Sequence, residues 1–492
     1  MVEHEVVRAP MGVAGLDDVL RGGLPVNRMY LVKGDPGVGK TTLALQFLME
    51  GVRRGERTLY ITLSETEEEL RQVSASHGWS LEGISLFELS VAEEALRLRE
   101  ENTLYASEDV DLKEVIAVLT ERIEQLAPTR VVFDSLSEIR LLANSSARYR
   151  RQILALKQDL SGRKCTTLLL DDHTGGEDLQ VESLAHGVIV LERTAVLYGA
   201  ERRRLRVSKL RGSSFRSGYH DYIVAQGGMV VFPRLVAAEH RTEWVAEPIS
   251  SGVPALDAML GGGVDRATCT LLLGPAGVGK SALACQFAVA AALRGERASI
   301  FLFEERVGTW LKRGENLGMP LTRLVKEGKL LVNQIDPAEL APDEFSHLVR
   351  TAVEEHDARI VVVDSITGYF TAMPEQRFLS LQMHELLSYL ADRGVATLLT
   401  TTQTGVMGQN MSTAFEISYL ADTIVVMRYF ESEGRLHKAM SVLKKRSGQH
   451  EDTIRSVRLS ASGVEVGETL TDLHGVLTGL PQNLSKAAAR DS

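Results

Sequence analysis

The sequence has little cysteine and no long apolar run. Cys165, Cys269 and Cys285 are its only cysteines, an odd number in apolar surroundings. They exclude a disulfide framework and a zinc-ligand spacing, and they indicate a reducing compartment. No eighteen consecutive residues are apolar, and the N-terminal Met-Val-Glu-His-Glu has neither the basic nor the apolar region of a signal peptide. We therefore expect a cytoplasmic protein with no membrane association.

An excess of positive charge is also absent. The formal net charge is -10, which argues against a general nucleic-acid coat, although local basic patches are compatible with it. A chain of 492 residues predicts two or more domains, each large enough for its own core. A hydrophobic content of 44% and a charged content of 24% are typical of a soluble globular protein.

A glycine-rich turn that occurs twice dominates the sequence. Both copies fit the pattern G-x-x-x-x-G-K-[ST], whose backbone N–H groups surround phosphate oxygens. The lysine adds positive charge for the β- and γ-phosphates, and the hydroxyl that follows it can bind Mg²⁺. Each turn lies between an apolar strand and a helix, so the helix N-terminus faces the phosphates. The predicted nucleotide-binding residues are Gly34, Asp35, Pro36, Gly37, Val38, Gly39, Lys40, Thr41 and Thr42 in the first copy, and Gly274, Pro275, Ala276, Gly277, Val278, Gly279, Lys280, Ser281 and Ala282 in the second.

The repeat extends well beyond these turns. Lys280 follows Lys40 by 240 residues, and the same offset aligns Gly12-Val13 with Gly252-Val253 and Arg54-Gly-Glu-Arg57 with Arg294-Gly-Glu-Arg297. This is a duplicated domain and not a short-period solenoid. We place the boundary in the polar stretch from Ala237 to Pro248, which gives domains 1–240 and 241–492.

Within each copy, apolar strand-like runs alternate with amphipathic helix-length stretches. This alternation predicts an α/β fold with a mostly parallel sheet, helices on both faces, and ligands at the carboxyl ends of the strands. Each copy then ends in strands without intervening helices, which we place as an antiparallel extension of the sheet. These strands are Val188–Glu192, Leu205–Leu210 and Tyr222–Val224 in the first copy, and Thr423–Arg428, Ala439–Lys444 and Ile454–Leu459 in the second.

Two apolar strands end in a carboxylate downstream of the turns. Val131-Val-Phe-Asp134 and Val361-Val-Val-Asp364 are typical Walker B strands. Each aspartate would lie at the carboxyl edge of its sheet beside the magnesium ion. Predicted Mg²⁺ ligands are therefore Thr41 with Asp134 and Ser281 with Asp364.

Acidic residues at another strand end are candidate bases. Glu304 and Glu305 are adjacent carboxylates in the second copy, where an attacking oxygen could be oriented or deprotonated. The first copy has Ser64 and Glu65 at the corresponding positions. The alternative is that Glu65 and Glu305 are solvated acids at a helix N-terminus, favoured by the helix dipole.

A pair of cations stands near the end of each copy. The pairs are Lys209 with Arg211 and Lys444 with Arg446. They are either ordinary surface charges or cations that reach a γ-phosphate bound by a neighbouring subunit, as arginine fingers do. The sequence pattern alone leaves both readings open.

These motifs together resemble the KaiC family of two-domain RecA-type ATPases. The resemblance covers nearly the whole chain and also includes Ala421-Asp422-Thr423-Ile-Val-Val-Met-Arg428-Tyr429 and the closing Gly475-Val-Leu-Thr-Gly479. It implies two tandem RecA-like P-loop NTPase domains, with ATP and Mg²⁺ as cofactors. It further implies a homohexamer of two stacked rings with ATP at subunit interfaces, slow hydrolysis in the first ring and autophosphorylation in the second. On this resemblance, the two cation pairs are the residues that approach the phosphate from the adjacent subunit.

The family's phosphoacceptor positions can be matched to this chain. Ser418 resembles the acceptor serine, Tyr419 occupies the place of the acceptor threonine, and Thr413 matches a third family hydroxyl. Glu304 resembles the base that would activate Ser418. The chain departs from the family at Tyr419, at Ser64 in place of an acid, and in a short polar tail after Gly479, so signalling partners cannot be carried over.

Three functions are compatible with this sequence. The first is an ATP-hydrolysing, autophosphorylating Ser/Thr kinase-like hexamer of the signalling or clock type. The second is a nucleotide-gated signalling scaffold with little kinase activity. The third is a RecA-like DNA-repair ATPase, against which stand the acidic net charge and the lack of basic stretches interleaved with aromatics, although Arg202-Arg-Arg204 and Arg206 form a local basic cluster.

Overall fold

The chain folds into two compact α/β units. The computed structural model describes residues 6–89, 108–143, 145–172, 179–195, 199–371, 376–404, 412–413, 418–432, 434–478 and 482–483. Unit 1 comprises Met1–Leu197 and Glu201–Arg234, and unit 2 comprises Tyr198–Ala200 and Leu235–Ser492. No helix in these ranges is long and apolar enough to cross a membrane.

Unit 1 alternates strands with helices in its first part and then continues with strands. Its strands are β1 (Arg8–Ala9), β2 (Leu24–Pro25), β3 (Met29–Gly34), β4 (Thr58–Thr62), β5 (Ile84–Glu88), β6 (Arg130–Asp134), β7 (Thr166–Asp172), β8 (Gly187–Thr194), β9 (Arg202–Leu210), β10 (His220–Ala225) and β11 (Gly228–Phe232). Its helices are α1 (Leu16–Val19), α2 (Lys40–Arg53), α3 (Glu67–Ser76), α4 (Glu108–Leu126), α5 (Leu136–Leu142), α6 (Ser146–Gly162) and α7 (Leu179–Leu184).

The main sheet of unit 1 has the strand order β11-β10-β9-β8-β3-β7-β6-β4-β5. The six strands from β8 to β5 are parallel, and β9, β10 and β11 continue the sheet in antiparallel fashion. In the register, Leu31 of β3 lies between Leu169 of β7 and Val188 of β8. The expectation that strand 188–192 belongs to the antiparallel extension is wrong, because the chain crosses back through α7 before β8 and so pairs it parallel to β3.

Unit 2 has the same plan. Its strands are β12 (Pro248–Ile249), β13 (Val264–Asp265), β14 (Cys269–Gly274), β15 (Arg297–Leu302), β16 (Leu330–Gln334), β17 (Ala358–Asp364), β18 (Ala396–Thr404), β19 (Ser412–Thr413), β20 (Thr423–Ser432), β21 (Arg435–Lys445), β22 (Arg455–Ser460), β23 (Gly463–Thr469), β24 (Leu473–His474) and β25 (Gln482–Asn483). Its helices are α8 (Pro254–Met259), α9 (Lys280–Arg294), α10 (Val307–Asn316), α11 (Leu321–Lys326), α12 (Pro342–Glu354), α13 (Ile366–Thr371) and α14 (Gln376–Asp392), with short 3₁₀ helices at Ala237–Glu239 and Val476–Thr478.

The unit 2 sheet has the order β16-β15-β17-β18-β14-β20-β21-β22-β23, and β19 pairs with β18. The strands from β16 to β20 are parallel, and β21 to β23 are antiparallel. Here too, the prediction that strand 423–428 belongs to the antiparallel extension is wrong, since β20 runs parallel to β14. Both units therefore have two RecA-like features: a mostly parallel sheet and an antiparallel C-terminal extension.

Each sheet buries apolar side chains on both faces. In unit 2, one face packs against helix α9, whose Leu283 and Phe287 join a core with Leu272 and Met427. The opposite face packs against α12 and α14 through Phe345, Met383 and Leu386. Because both faces are covered, the parallel strands are nearly continuous runs of apolar residues.

The segment between the repeats, residues 235–248, belongs to unit 2 and includes the polar stretch of the predicted domain boundary. Leu235 and Ala237 are buried in its core beside α14. The backbone N–H of Ala237 donates to Glu385 Oε2 at 3.3 Å. That of Thr242 donates to the carbonyl of Asp392 at 3.1 Å. This inter-repeat segment is thus held to helix α14 by burial and by hydrogen bonds.

Candidate nucleotide sites

The glycine-rich turns have the backbone that phosphate binding requires. In unit 1 the turn joins β3 to α2, and Gly37 and Gly39 have φ angles of 79° and 99°. Gly277 and Gly279 have φ angles of 75° and 123° in unit 2. L side chains disfavour such angles, so only glycine lets the amides of the turn converge in front of the helix N-terminus.

Gly34 ends β3, the strand that leads into the glycine-rich turn, or P-loop, of unit 1. A glycine is required here because there is no room for a side chain. A Cβ atom added to it would lie 2.4 Å from the carbonyl oxygen of Leu191 in β8. Gly274 stands in the same relation to the carbonyl of Met427, at 2.5 Å. In each unit the strand next to the P-loop strand therefore passes directly against the beginning of the phosphate turn.

The P-loop lysine of unit 1 is folded back onto the turn. Its Nζ donates to the carbonyl oxygens of Gly34 at 2.7 Å and Asp35 at 3.1 Å. It also forms an ion pair with Asp172 Oδ1 at 2.8 Å, and Lys40 is 7% exposed. A triphosphate that engages Lys40 must therefore compete with the carboxylate of Asp172.

In unit 2, a threonine stands in the place of this competing carboxylate. Lys280 Nζ donates to the carbonyls of Gly274 and Pro275, both at 2.9 Å. The residue that pairs with Gly274 in the neighbouring strand is Thr402, where unit 1 has Asp172 opposite Gly34. Burial lowers the pKa of Lys280, and the charges of Asp364 and Glu304 act in the opposite direction.

Asp134 lies beside the P-loop hydroxyl of unit 1. Thr41 Oγ1 donates to Asp134 Oδ2 at 3.0 Å, and the hydroxyl of Tyr60 donates to the same oxygen at 2.5 Å. Burial raises the pKa of Asp134, while the hydrogen bonds from Tyr60 and Thr41 lower it. In unit 2, Asp364 Oδ1 instead accepts from Thr400 Oγ1 at 2.5 Å.

This arrangement fits magnesium bound together with a nucleotide. Mg²⁺ prefers a few protein oxygens, with the remaining positions filled by water and by phosphate. The adjoining oxygens of Thr41 and Asp134 in unit 1 supply such a pair. No group of three or more His, Cys, Asp or Glu side chains that could hold a metal occurs among the described residues. The ion would therefore depend on the phosphates for much of its coordination.

Glu65 faces this site with part of its carboxylate unpaired. Its Oε2 is buried and has no hydrogen-bond partner in the described part of the chain. Burial raises the pKa of Glu65, and the nearby charge of Asp134 adds to the effect. The N-cap of α3 is Thr66, which forms a capping box with Glu69, so Glu65 is not the helix-capping acid. The preceding residue, Ser64, is exposed.

The two acids of unit 2 have different partners. Glu304 is exposed, and its Oε1 accepts from Ser365 Oγ at 2.8 Å. Glu305 forms a bidentate ion pair with Arg313, at 2.6 Å and 3.2 Å. Glu304 is thus directed toward the end of the Walker B strand, whereas Glu305 is held by Arg313. Unit 1 has Val73 at the position that corresponds to Arg313, 240 residues earlier in the sequence.

The cation pair of unit 1 lies at the amino end of the parallel strands. Lys209 pairs in register with Val188 near the start of β8, whereas the phosphate turn follows the carboxyl end of β3. Lys209 Nζ donates to the carbonyl of Glu182 at 2.7 Å, and Arg211 Nη2 donates to that of Ser183 at 3.0 Å. Burial lowers the pKa of Lys209, and the charge of Arg211 contributes. The pair therefore lies at the end of the sheet opposite its own P-loop.

The corresponding cations of unit 2 lie beside the predicted acceptor segment. Lys444 Nζ donates to the carbonyl of Ala421 at 2.7 Å. Arg446 Nη2 donates to the carbonyl of Tyr419, and Nη1 pairs with Asp422 Oδ1, both at 3.4 Å. Ser418 is exposed, and Tyr419 is 53% exposed. Both candidate acceptors are therefore open to solvent next to the cations.

The third candidate acceptor, Thr413, lies in β19, where it pairs with Gln403 of β18. Its side chain is outside the described residues.

Several site residues were not predicted from the sequence. Tyr60, Asp172 and Thr400 contact the predicted groups from neighbouring strands, and Arg313 does so from helix α10. For the three strand residues, the signal is their place on parallel strands that lead to the carboxyl edge of the sheet, which becomes usable only when the strand register is known.

The fold and these turns define the class of protein. Each unit is a RecA-like P-loop NTPase domain, with the phosphate turn and the Walker B aspartate at the carboxyl edge of a mostly parallel sheet. The family model of the KaiC ATPase matches residues 9–236 and 249–471. The chain belongs to the KaiC family.

The curated relatives are similar over nearly their whole length. The circadian clock oscillator protein KaiC of Parasynechococcus marenigrum is 26% identical over 494 residues, which cover 98% of this chain and 94% of the relative. KaiC of Thermosynechococcus vestitus is 27% identical over 492 residues, with coverages of 98% and 93%. KaiC of Synechococcus elongatus is 26% identical over 503 residues, with the same coverages. The chain is thus a KaiC-like ATP-binding protein.

Proposed function

We propose that this chain hydrolyses ATP and autophosphorylates as a cytoplasmic homohexamer of the signalling type, with ATP and Mg²⁺ bound where subunits meet. The observation that carries the proposal is the position of Lys209 and Lys444. Each lies at the end of its sheet opposite its own phosphate turn, where it contacts main-chain carbonyls. A cation so placed lies away from the phosphate turn of its own sheet and is available to a phosphate bound by another copy. Such a charge contributes roughly 10³ to 10⁵ in rate.

In unit 1, the residues support hydrolysis. The turn amides and Lys40 would hold the phosphates, and Thr41 and Asp134 would hold Mg²⁺, which supplies charge neutralisation at the transferred phosphoryl group. Glu65 is the candidate base for the attacking water. Its raised pKa and unpaired Oε2 suit a carboxylate that must accept a proton near neutral pH.

In unit 2, the residues support phosphoryl transfer to protein. Glu304 would accept the hydroxyl proton of Ser418 from a neighbouring copy, and the serine oxygen would attack the γ-phosphorus. The bond from the γ-phosphorus to the β,γ-bridging oxygen would break, leaving ADP and phosphoserine. Ser365 donates to Glu304 and holds its carboxylate at the end of β17. Lys444 and Arg446 of the neighbouring copy would stabilise the transferred charge.

Labelling with γ-labelled ATP tests the proposal. Wild-type protein should incorporate phosphate into Ser418, and Ser418→Ala should lose that label, whereas the exposed control Ser462→Ala should keep it. Mixing Lys280→Ala with Ser418→Ala should restore label on the Lys280→Ala copies, because one copy supplies the ATP site and the other the acceptor. No label on wild type, or no restoration on mixing subunits, would contradict transfer between copies. Tyr419→Phe and Thr413→Ala identify any second acceptor.

A nucleotide-gated scaffold is the second candidate function. Glu305 is neutralised by Arg313, and Lys40 by Asp172. Both pairs favour a site that changes its contacts on binding nucleotide over one that turns over rapidly. This function predicts ATP-dependent assembly without label on protein, with assembly lost in Lys280→Ala. The signalling partners would then be proteins that recognise the assembled form.

The DNA-repair alternative gains no support from the basic cluster of β9. Arg206 lies 3.5 Å from Glu192, and Arg203 lies 3.7 Å from Glu201. Arg204 stacks over the ring of Tyr219 at 5.0 Å. These arginines therefore have intramolecular partners. DNA binding that weakens steeply with salt would revive the idea.

A further inference from the structure

Unit 2 contains a buried arginine whose charge is not compensated by any residue in the described ranges. Arg428 in β20 is 6% exposed, and its Nε is buried without a hydrogen-bond acceptor. None of the described residues forms an ion pair with its guanidinium. Burial lowers the pKa of Arg428, and no neighbouring charge opposes that effect. A guanidinium in this position is normally found with an anion.

The equivalent position of unit 1 has an acidic residue with a cationic partner. Leu191 and Met427 occupy equivalent places against the P-loop glycines, so Glu192 corresponds to Arg428. Glu192 has a cation at hand in Arg206, at 3.5 Å. In unit 2 the strand position of Arg206 is taken by Ser441, which pairs with Val426 as Arg206 pairs with Val190. Among the described residues, this position therefore carries an unpaired charge in unit 2 and a paired one in unit 1.

The place of Arg428 links it to the phosphate turn. It directly follows Met427, whose carbonyl lies against Gly274 at the start of that turn. Val426 belongs to the core on the sheet face opposite α9, so Arg428, two residues further along the strand, points to that same face. The guanidinium thus adjoins the carboxyl edge, where the phosphates would bind, from the side that the P-loop helix does not cover.

A second polar side chain at this edge has a buried oxygen without a partner among the described residues. Gln403 of β18 is 8% exposed, and its Oε1 is buried with no donor from the described ranges. Leu273 of β14 pairs with Thr401 of β18 on one side and with Val426 of β20 on the other. Gln403 and Arg428 each lie two residues further along their strands, so they flank the end of β14 on the same face of the sheet. Strand spacing puts their backbones roughly 10 Å apart, a gap that two long side chains can close around one small anion. Because the buried Oε1 is an acceptor, the amide of Gln403 has to turn by 180° so that its nitrogen donates to that anion.

We infer that Arg428 and Gln403 form an oxyanion site of unit 2 that takes a phosphate group. The group is either the terminal phosphate of a nucleotide in the adjacent turn or orthophosphate released from it. The inference rests on ATP binding by unit 2 and not on transfer to Ser418. It assigns to unit 2 a phosphate contact that unit 1 replaces with the Glu192–Arg206 pair.

Orthophosphate binding to the nucleotide-free, full-length chain is the first test. The probe is radiolabelled orthophosphate in equilibrium dialysis, at constant ionic strength and in a Lys280→Ala background that disables the P-loop lysine. Arg428→Met should weaken binding roughly tenfold or more, since a charge-assisted hydrogen bond is lost. Arg428→Lys keeps the charge and should retain most of the affinity.

The second test separates the two sources of phosphate. With Lys280 intact, the preference of unit 2 for ATP over ADP should fall in Arg428→Met if the site reads the terminal phosphate. If only orthophosphate binding falls, the site holds the released ion. In both cases Arg428→Met should melt at a higher temperature than wild type without phosphate, because an unpaired buried charge has been removed. A purely structural role of Arg428 would instead lower the melting temperature.

The inference is overturned if neither orthophosphate binding nor the ATP preference changes in Arg428→Met. It is also overturned if that variant fails to assemble with and without phosphate alike, since the counter-charge would then be a carboxylate of another copy. Arg428→Gln replaces Arg428→Met in each measurement if the methionine variant does not fold. Neither result depends on phosphate appearing on Ser418, so the failure of this inference and that of autophosphorylation are distinguishable.

Discussion

Replacing Glu65 by glutamine should separate the chemistry of unit 1 from its stability. The glutamine keeps the size of the side chain but cannot accept a proton. If Glu65 is the base for water, ATP turnover by unit 1 should fall by roughly 10² to 10⁴, which corresponds to about 3 to 5 kcal/mol of transition-state stabilisation. Exposed Ser64→Ala is the matched control and should change turnover little.

Although Glu65→Gln should lower turnover, it should not lower the stability of unit 1. Because the pKa of Glu65 is raised above its ordinary value of 4.5, the folded state favours the neutral carboxyl. Ionisation of Glu65 therefore reduces stability as pH rises from the unfolded-state pKa to the folded one. Glutamine removes this cost, so Glu65→Gln should melt at the same temperature as wild type or higher at neutral pH.

The assay is phosphate release in a Lys280→Ala background, which isolates unit 1, measured across pH. Wild-type turnover should rise as Glu65 deprotonates, with a midpoint above 4.5, and Glu65→Gln should lose that rise. A loss of turnover below tenfold, or a loss matched by a lower melting temperature, would refute the reasoning about Glu65.

Substitutions can test three other contacts. Glu56→Ala removes the partner of Arg130, which is fully buried with its Nε 2.7 Å from Glu56. The substitution should destabilise unit 1 by about 3 kcal/mol and lower its urea midpoint. An unchanged midpoint would contradict this prediction. Asp172→Asn frees Lys40 from its competing carboxylate and should tighten nucleotide binding by unit 1 about threefold to tenfold, measured by titration with a fluorescent ATP analogue; weaker binding would show that Asp172 assists the nucleotide. Trp310→Ala empties a site that is 2% exposed in the unit 2 core and should cost about 3 to 5 kcal/mol, lowering the calorimetric transition of unit 2 while leaving that of unit 1 in place.

The fold class was predictable because local signals agreed with the global arrangement. The two glycine-rich turns, the 240-residue offset and the alternation of strands and helices predicted two α/β domains, which the structure confirms. The edge strands β5 and β16 were not predicted, because edge strands are only partly buried and their apolar runs are short: Ser85 interrupts Ile84–Glu88, and Leu330–Gln334 ends in Asn and Gln. The direction of β8 was wrong, because parallel and antiparallel strands have the same composition when both faces are buried.

Some residues of the candidate site were likewise predictable from the sequence, and others were not. Groups within one motif, such as Lys40 and Thr41, could be located from the sequence. Tyr60 and Asp172 could not, because they reach the site from other strands whose register only the structure gives. The asymmetry between units was also hidden. Glu304 and Glu305 are adjacent carboxylates in the sequence, but only the fold shows that Arg313 neutralises one of them.

The attachment of the inter-repeat segment to helix α14 determines where the chain can be cut. A second repeat produced from Ile249 onward would leave bare the apolar surface that Leu235 and Ala237 cover, and it would lose the backbone hydrogen bonds to Glu385 and Asp392. A fragment that starts at Leu235 keeps the residues that cover this surface and the hydrogen bonds to helix α14. The piece of polypeptide that joins the repeats in sequence is, for folding purposes, the opening segment of the second one.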